Sequence, residues 1–298
     1  MSFTKPPVPT FHLFTQHGWA DGNRDMALLA HQLVGDGYSF SSPDLGYFLT
    51  WLRIEPLIRQ VEAIARQTAE AHPQMPWKIV GHSMGGLIWL EVLHRHPDWW
   101  SRVHSLVLVA SPVGGADLGR IFDPLKLGIG IATDLGTDRR AIAESVAAKI
   151  PTLVIAGDID GGSDGTIPVM STPIAQAQFI CLPNISHAKL KTHPDVVTLI
   201  HEFWQNQTVG VVTAADPLIQ TLRAIPGMTD AHQRHFSQAK VWHTFADGRT
   251  LRTWSNAFGV SHVYVASRQA ACVYAGFVGW NHTPELWNQL NLLKQGDR

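Results

Sequence analysis

The sequence predicts an α/β fold: a doubly wound, mostly parallel sheet of about six strands flanked by helices, with a small helical cap insertion and a C-terminal α+β appendage. Three observations predict it. Between Phe11 and Gln205, short apolar runs alternate with longer segments of helical period, the pattern of strands joined by crossover helices. Residues 103–110 and 151–157 are apolar over most of their length, as strands covered on both faces are. Ser83 stands among glycines where one such run hands over to a helix, and right-handed crossovers then narrow the topology to a doubly wound sheet.

Taken in order, residues 11–14 read as a first strand that ends at Thr15-Gln16-His17-Gly18-Trp19. Asp21 is then placed to cap a helix whose apolar face carries Met26, Leu28, Leu29 and Leu33. Residues 38–41 read as a second strand, and the loop after it, through Asp44, feeds a helix over about residues 54–72. Residues 77–80 read as a third strand. They lead through Gly81-His82-Ser83-Met84-Gly85-Gly86 into a helix over about residues 84–96, which carries Leu87, Ile88, Leu90, Val92 and Leu93. Residues 103–110, 151–157 and 178–182 supply the remaining strands, and a helix over residues 194–205 follows.

Between residues 111 and 150 the alternation breaks. Gly114, Gly115, Gly119, Gly128, Gly130 and Gly136 punctuate short helical stretches containing Leu125, Leu127, Ile129 and Ile131. About residues 112–148 are therefore expected to form an apolar cap over a site, the alternative being an ordinary helix with a long lead-in loop.

The first unit is expected to span residues 1–206, and a second one residues 207–298. In the second, helical patterns over 217–224 and 230–239 precede a hairpin around Asp247-Gly248, a second hairpin around Arg268-Gln269, and a helix opened by Thr283-Pro284-Glu285. Its strand residues Trp242, Phe245, Tyr264 and Tyr274 are expected to fill a small core of its own. The competing expectation is a surface for a protein partner or for dimerisation.

Composition excludes several classes. A formal net charge of −1 without a basic stripe argues against nucleic acid as a partner. Residues 1–9 lack a basic segment followed by an apolar one, and no apolar run reaches membrane-spanning length, so the expectation is a cytoplasmic protein with no integral membrane segment. Cys181 and Cys272 lie in strand segments of different regions and read as buried free thiols. His94 with His96, and His232 with His235, have chelating spacings but no accompanying set of Cys, Asp and His. Solvated helix faces are expected there, and no metal.

A serine nucleophile needs a general base, and that imidazole needs a carboxylate to fix its tautomer. In a parallel sheet the loops after the strands converge on one edge, so the carboxylate should follow a late strand and the histidine the last one. Asp164, in the turn Asp164-Gly165-Thr166-Ile167-Pro168, and His187, after residues 178–182, meet that order. Asp158 and Asp160 are rivals that lack the turn. An oxyanion needs backbone N–H donors, which the order assigns to Met84 and Trp19.

Together these pieces resemble the α/β-hydrolases, and within them the compact lipase and esterase branch, over about residues 10–205. The resemblance rests on His17-Gly18-Trp19, the G-x-S-x-G turn at residues 81–85, the turn at residues 164–168 and Ser186-His187. Ser111-Pro112-Val113-Gly114-Gly115 resembles a lipase loop in which Ala110 and Val113 replace a glycine and a histidine. The resemblance implies hydrolysis of a carboxylic ester with a hydrophobic moiety through an acyl-serine, with no cofactor. Catalytic roles fall to Ser83, Asp164 and His187, the oxyanion hole to Trp19 and Met84, and substrate contacts to His17, Gly18 and Val113. Thioesterases and acyltransferases share the same triad, and a binding or scaffold protein acting through residues 207–298 is the alternative of a different class.

Overall fold

A computed structural model describes residues 10–35, 39–115, 131–207 and 216–297. Six strands, β1 (His12–Gln16), β2 (Phe40–Ser41), β3 (Trp77–His82), β4 (Val103–Val109), β5 (Thr152–Asp158) and β6 (Gln178–Pro183), form one sheet in the order β2-β1-β3-β4-β5-β6. Every pair is parallel. Helices α1 (Arg24–Val34), α2 (Ile54–Ala71), α3 (Met84–Arg95), α4 (Ile131–Leu135), α5 (Arg140–Ala147) and α6 (Pro194–Gln205) accompany it.

The period-two pleat divides the strands between two cores. Ile79, Leu106, Leu108 and Val154 join the layer containing α2, α3 and α5, whereas Val80, Val107, Val109, Leu153 and Ile155 join the layer containing α1 and α6. Central strands buried on both sides account for the apolar runs. From β1 the chain moves outward to β2 and returns to β3 on the other side of β1, so the winding reverses between β1 and β3. A crevice opens at the carboxyl ends of strands at such a reversal, and β3 delivers Ser83 there.

The second sheet is antiparallel, in the order β7-β11-β10-β9-β8: β7 (Thr229–Asp230), β8 (Lys240–Thr244), β9 (Thr250–Ser255), β10 (Ser261–Ala266) and β11 (Cys272–Phe277). The expected hairpins are both present, and Gly248 takes φ 84° in the first. Tyr264 and Tyr274 are fully buried, and Trp242 and Phe245 pack on a core shared with α7 (Pro217–Arg223) and α8 (Thr283–Gly296).

Several local expectations are corrected. The helix expected over residues 230–239 is instead β7 and a 3₁₀ turn at Gln233–Gln238, because Thr229 and Asp230 pair with β11 and the His232 ring accepts the Arg234 N–H. Asn23, not Asp21, precedes α1, and Asp21 instead binds Lys191 Nζ at 2.6 Å. Leu28 faces outward, 49% exposed. Neither cysteine is buried: Cys181 is exposed on the alternating edge strand β6, and Cys272 is half-buried. Much of the expected cap, including Gly119, Leu125, Leu127, Gly128, Ile129 and Gly130, lies outside the described residues, as does Tyr38 of the expected second strand. No helix of the described residues is long and apolar enough to cross a membrane.

Candidate active site

Ser83 joins β3 to α3 with φ 57° and ψ −126°, a left-handed conformation that a side chain adopts only under strain and that holds the serine at the strand tip. Its N–H is tied to the Val109 carbonyl at 2.8 Å, which fixes the turn to β4. The sequence permits this geometry because its neighbours are small. A Cβ on Gly85 would lie 2.3 Å from the Gln16 carbonyl oxygen, and one on Gly18 would lie 2.8 Å from Ser83 Cβ. The loop after β1 therefore rests directly on the serine, and Trp19 follows immediately. Met84 opens α3, where first-turn N–H groups have no acceptor within the helix.

The loops after β5 and β6 bring the other two residues together. His187 Nδ1 donates to Asp164 Oδ2 at 2.7 Å, and the His187 N–H donates to the Asp164 carbonyl at 2.9 Å. Asp164 is 2% exposed, and its Oδ1 accepts the N–H groups of Thr166 (2.9 Å) and Ile167 (2.6 Å). These bonds aim the carboxylate at the imidazole. They also explain the turn at residues 164–168, whose amides satisfy the oxygen that faces away from His187.

The rivals are occupied elsewhere. Asp158 Oδ1 accepts the N–H groups of Asp160, Gly161 and Gly162, and Asp160 binds Ser163 and His232. Burial opposes a charge on Asp160, but hydrogen bonds from His232 and Ser163 outweigh it and hold the carboxyl below its usual range.

His82, the variable residue of the G-x-S-x-G turn, was not singled out by sequence reasoning. Its Nε2–H donates to the His187 carbonyl at 3.0 Å, and the two rings lie 4.6 Å apart between centroids. Burial, with the nearby charges of His187 and Lys191, pushes its pKa well down, so the ring is neutral. No local pattern announces a contact that spans the two loops; the only signal is that a histidine, not a small residue, precedes Ser83.

His17, expected as a loop organiser and a candidate substrate contact, has both of its nitrogens turned inward. Nε2 accepts the Leu45 N–H at 3.0 Å, and Nδ1 lies 3.0 Å from the Gly18 carbonyl, which fixes the tautomer with the proton on Nδ1. Asp44 approaches to 3.6 Å, but the nitrogen facing it is already an acceptor and burial lowers the ring's pKa, so this is not an ion pair. His17 is a strut between the β1 and β2 loops. Val113 is likewise fully buried; its carbonyl accepts the Arg139 N–H at 2.7 Å. Among the described residues no group of three His, Cys, Asp or Glu is placed to hold a metal ion. His96 and His232 instead face Glu62 and Asp160.

The neighbour of the strained serine, His82, touches His187, whose imidazole is held by a buried carboxylate; a serine served by such an imidazole can attack an electrophilic carbon and pass its proton to the ring. A family model described as serine aminopeptidase, S33, matches residues 12–128, a span that holds Ser83 and ends before Asp164 and His187. Among solved structures, the mature form of the Bacillus licheniformis lipase BlEst2 is 15% identical, with 67% of this chain and 94% of that one covered and a TM-score of 0.52. The propeptide form of the same lipase is 14% identical with a TM-score of 0.55, and covers 91% of this chain and 72% of that one. No curated protein matches. At these identities the likeness is one of fold, and the fold is that of the α/β-hydrolases.

Proposed function

We propose that this chain, an α/β-hydrolase by fold, is a serine hydrolase that cleaves carboxylic esters with a hydrophobic moiety. The observation that carries the reading is the 2.7 Å bond from His187 to the buried Asp164, with His187 in turn touching His82, the residue before the strained Ser83.

In this mechanism Ser83 Oγ attacks the ester carbonyl while His187 Nε2 takes its proton, and Asp164 stabilises the imidazolium through Nδ1–H. The N–H groups of Met84 and Trp19 receive the oxyanion, a role in which loss of one donor typically costs about 3–4 kcal/mol. The tetrahedral intermediate collapses, His187 returns the proton to the departing alcohol, and an acyl-Ser83 remains. Water then attacks with His187 again as base, and the acid leaves as Ser83 Oγ recovers its proton. Each proton taken is returned, so the cycle consumes only ester and water.

Support for a hydrophobic substrate comes from the rim. Trp19 packs edge-on against Trp51 with centroids 4.4 Å apart, and Tyr47, Phe48, Leu49 and Leu52 beside it are exposed, Phe48 by 82%. An apolar ridge around Trp19, which follows the Gly18 that rests on Ser83, suits an acyl chain or aromatic group more than a charged one.

A fluorophosphonate probe is expected to label Ser83, and Ser83→Ala is expected to lower turnover of p-nitrophenyl esters by a factor on the order of 10⁶ while leaving the protein folded. Amino-acid p-nitroanilides, amides suited to an aminopeptidase, are expected to be poorer substrates than the esters. A folded parent that resists the probe and leaves every ester intact would refute the proposal.

A further inference from the structure

The loop carrying Asp164 is held at its start by residues of the C-terminal region and at its end by a cluster that joins that region to Arg140 of α5. At its start, His232 Nε2 lies 3.0 Å from Asp160 Oδ1, and the Gln233 amide donates to the Gly161 carbonyl. Gly162 backs directly onto the same pair: a Cβ there would lie 3.2 Å from Gln233 Cγ and 3.3 Å from His232 Cε1. At its end, Arg140 and Arg223 both bind the Asp230 carboxylate, which is 1% exposed. The same two guanidiniums donate to the Met170 carbonyl at 3.2 and 3.4 Å. The Met170 side chain packs on the core of the C-terminal sheet.

Between these anchors the loop is internally stiff. Val169 N–H donates to the Gly162 carbonyl at 2.9 Å, Ser163 pairs with Pro168, and Asp164 Oδ1 holds two amides of its own turn. A stiff turn moves as a unit, so a shift at either anchor is carried to Asp164. The hydrogen bond to His187 tolerates little such shift, since hydrogen bonds weaken steeply off geometry.

We infer that the C-terminal sheet is a positioning device for Asp164, with His232 and Asp230 as its two points of grip. The inference rests on the Ser83–His187–Asp164 reading above. His232 and Asp230 touch no reacting atom; they act through the loop, Asp164 and then the orientation of His187.

The test uses the full chain in two arms. In the first, hydrogen–deuterium exchange of the amides in residues 158–172 is compared among the parent, His232→Ala and His232→Gln; the glutamine amide can still donate to Asp160. Exchange in this loop is expected to quicken about 10-fold in His232→Ala, to stay near the parent in His232→Gln, and to be unchanged in α3 in both.

In the second arm, kcat, KM and the pH profile are measured on p-nitrophenyl butyrate. His232→Ala is expected to lower kcat about 10-fold with KM within twofold. It should also move the acid limb of kcat/KM to lower pH, because a misplaced carboxylate stabilises the His187 imidazolium less. His232→Gln should recover most of both effects, and since neither variant carries an imidazole, loss of charge at position 232 cannot produce the difference. On an Asp164→Asn background, His232→Ala should add nothing. Asp160→Asn should mimic His232→Ala, and Asp230→Asn should do so if it folds.

An unchanged loop, or a loosened loop with parental kcat and acid limb, overturns the inference, as does an equal loss on the Asp164→Asn background. A parent with no ester turnover sinks the hydrolase reading instead, and the exchange arm alone then decides whether His232 grips the loop.

Discussion

His82 is held between two loops by one hydrogen bond and one ring contact, both to His187. Its neutral ring offers Nε2–H to a carbonyl that would otherwise be unsatisfied, and leaving such a group unpaired costs about 1–3 kcal/mol. Nδ1 of the same ring is buried with no hydrogen-bond partner among the described residues, and burial, with the neighbouring charges, opposes a proton there. His82→Phe should therefore lower the unfolding free energy by about 1–2 kcal/mol, since it deletes one bond and one unpaired nitrogen together. It should also reduce kcat several-fold by freeing the His187 loop. His82→Gln, which retains a donor, should do less on both counts. Urea unfolding and steady-state kinetics of the two variants check this, and equal behaviour of Phe and Gln would contradict it.

At the scale of elements, the fold was legible where one physical cause dominated. Helix α6 begins at Pro194 and ends at Gln205 as the sequence indicates, because a first-turn proline and an amphipathic period define it without help. The two hairpins were legible from their turns. The pairing of His187 with Asp164 was legible because the order of loops on a parallel sheet restricts where each can fall. What was hidden depends on tertiary partners. Residues 230–239 carry helical spacing, yet β11 recruits Thr229 and Asp230 into a strand. Asp21 has the chemistry of a cap, yet a lysine distant in sequence takes its carboxylate. The inward tautomer of His17 follows from Leu45, brought near only when β2 pairs with β1. His232 and Asp230 belong to this hidden class, since each meets the first sheet's loops from a separate core.

Across the whole molecule, acid sensitivity follows from histidines kept neutral by folding. Burial and the neighbouring charge of His72 hold His12 down to about 4, and burial likewise lowers His17 and His82. Unfolded imidazoles take up protons near pH 6.5. Between that value and about 4 the unfolded chain binds more protons than the folded one, so stability is present above pH 6.5 and is lost as pH falls toward 4. The thermal midpoint should drop steadily from pH 7 to pH 4.5; a midpoint that is flat or rising over that range would be incompatible with neutral buried histidines.

In the proposed mechanism the chemistry lies at one sheet edge, where the segments following β3, β5 and β6 carry Ser83, Asp164 and His187. The most direct test is to quench the parent with acid during turnover of a p-nitrophenyl ester and weigh its peptides by mass spectrometry. The peptide containing Ser83 is expected to carry the mass of the acyl group, to lose it on further incubation at neutral pH, and never to gain it in Ser83→Ala. Steady ester hydrolysis with an unmodified Ser83 peptide, or undiminished turnover by Ser83→Ala, would contradict the account.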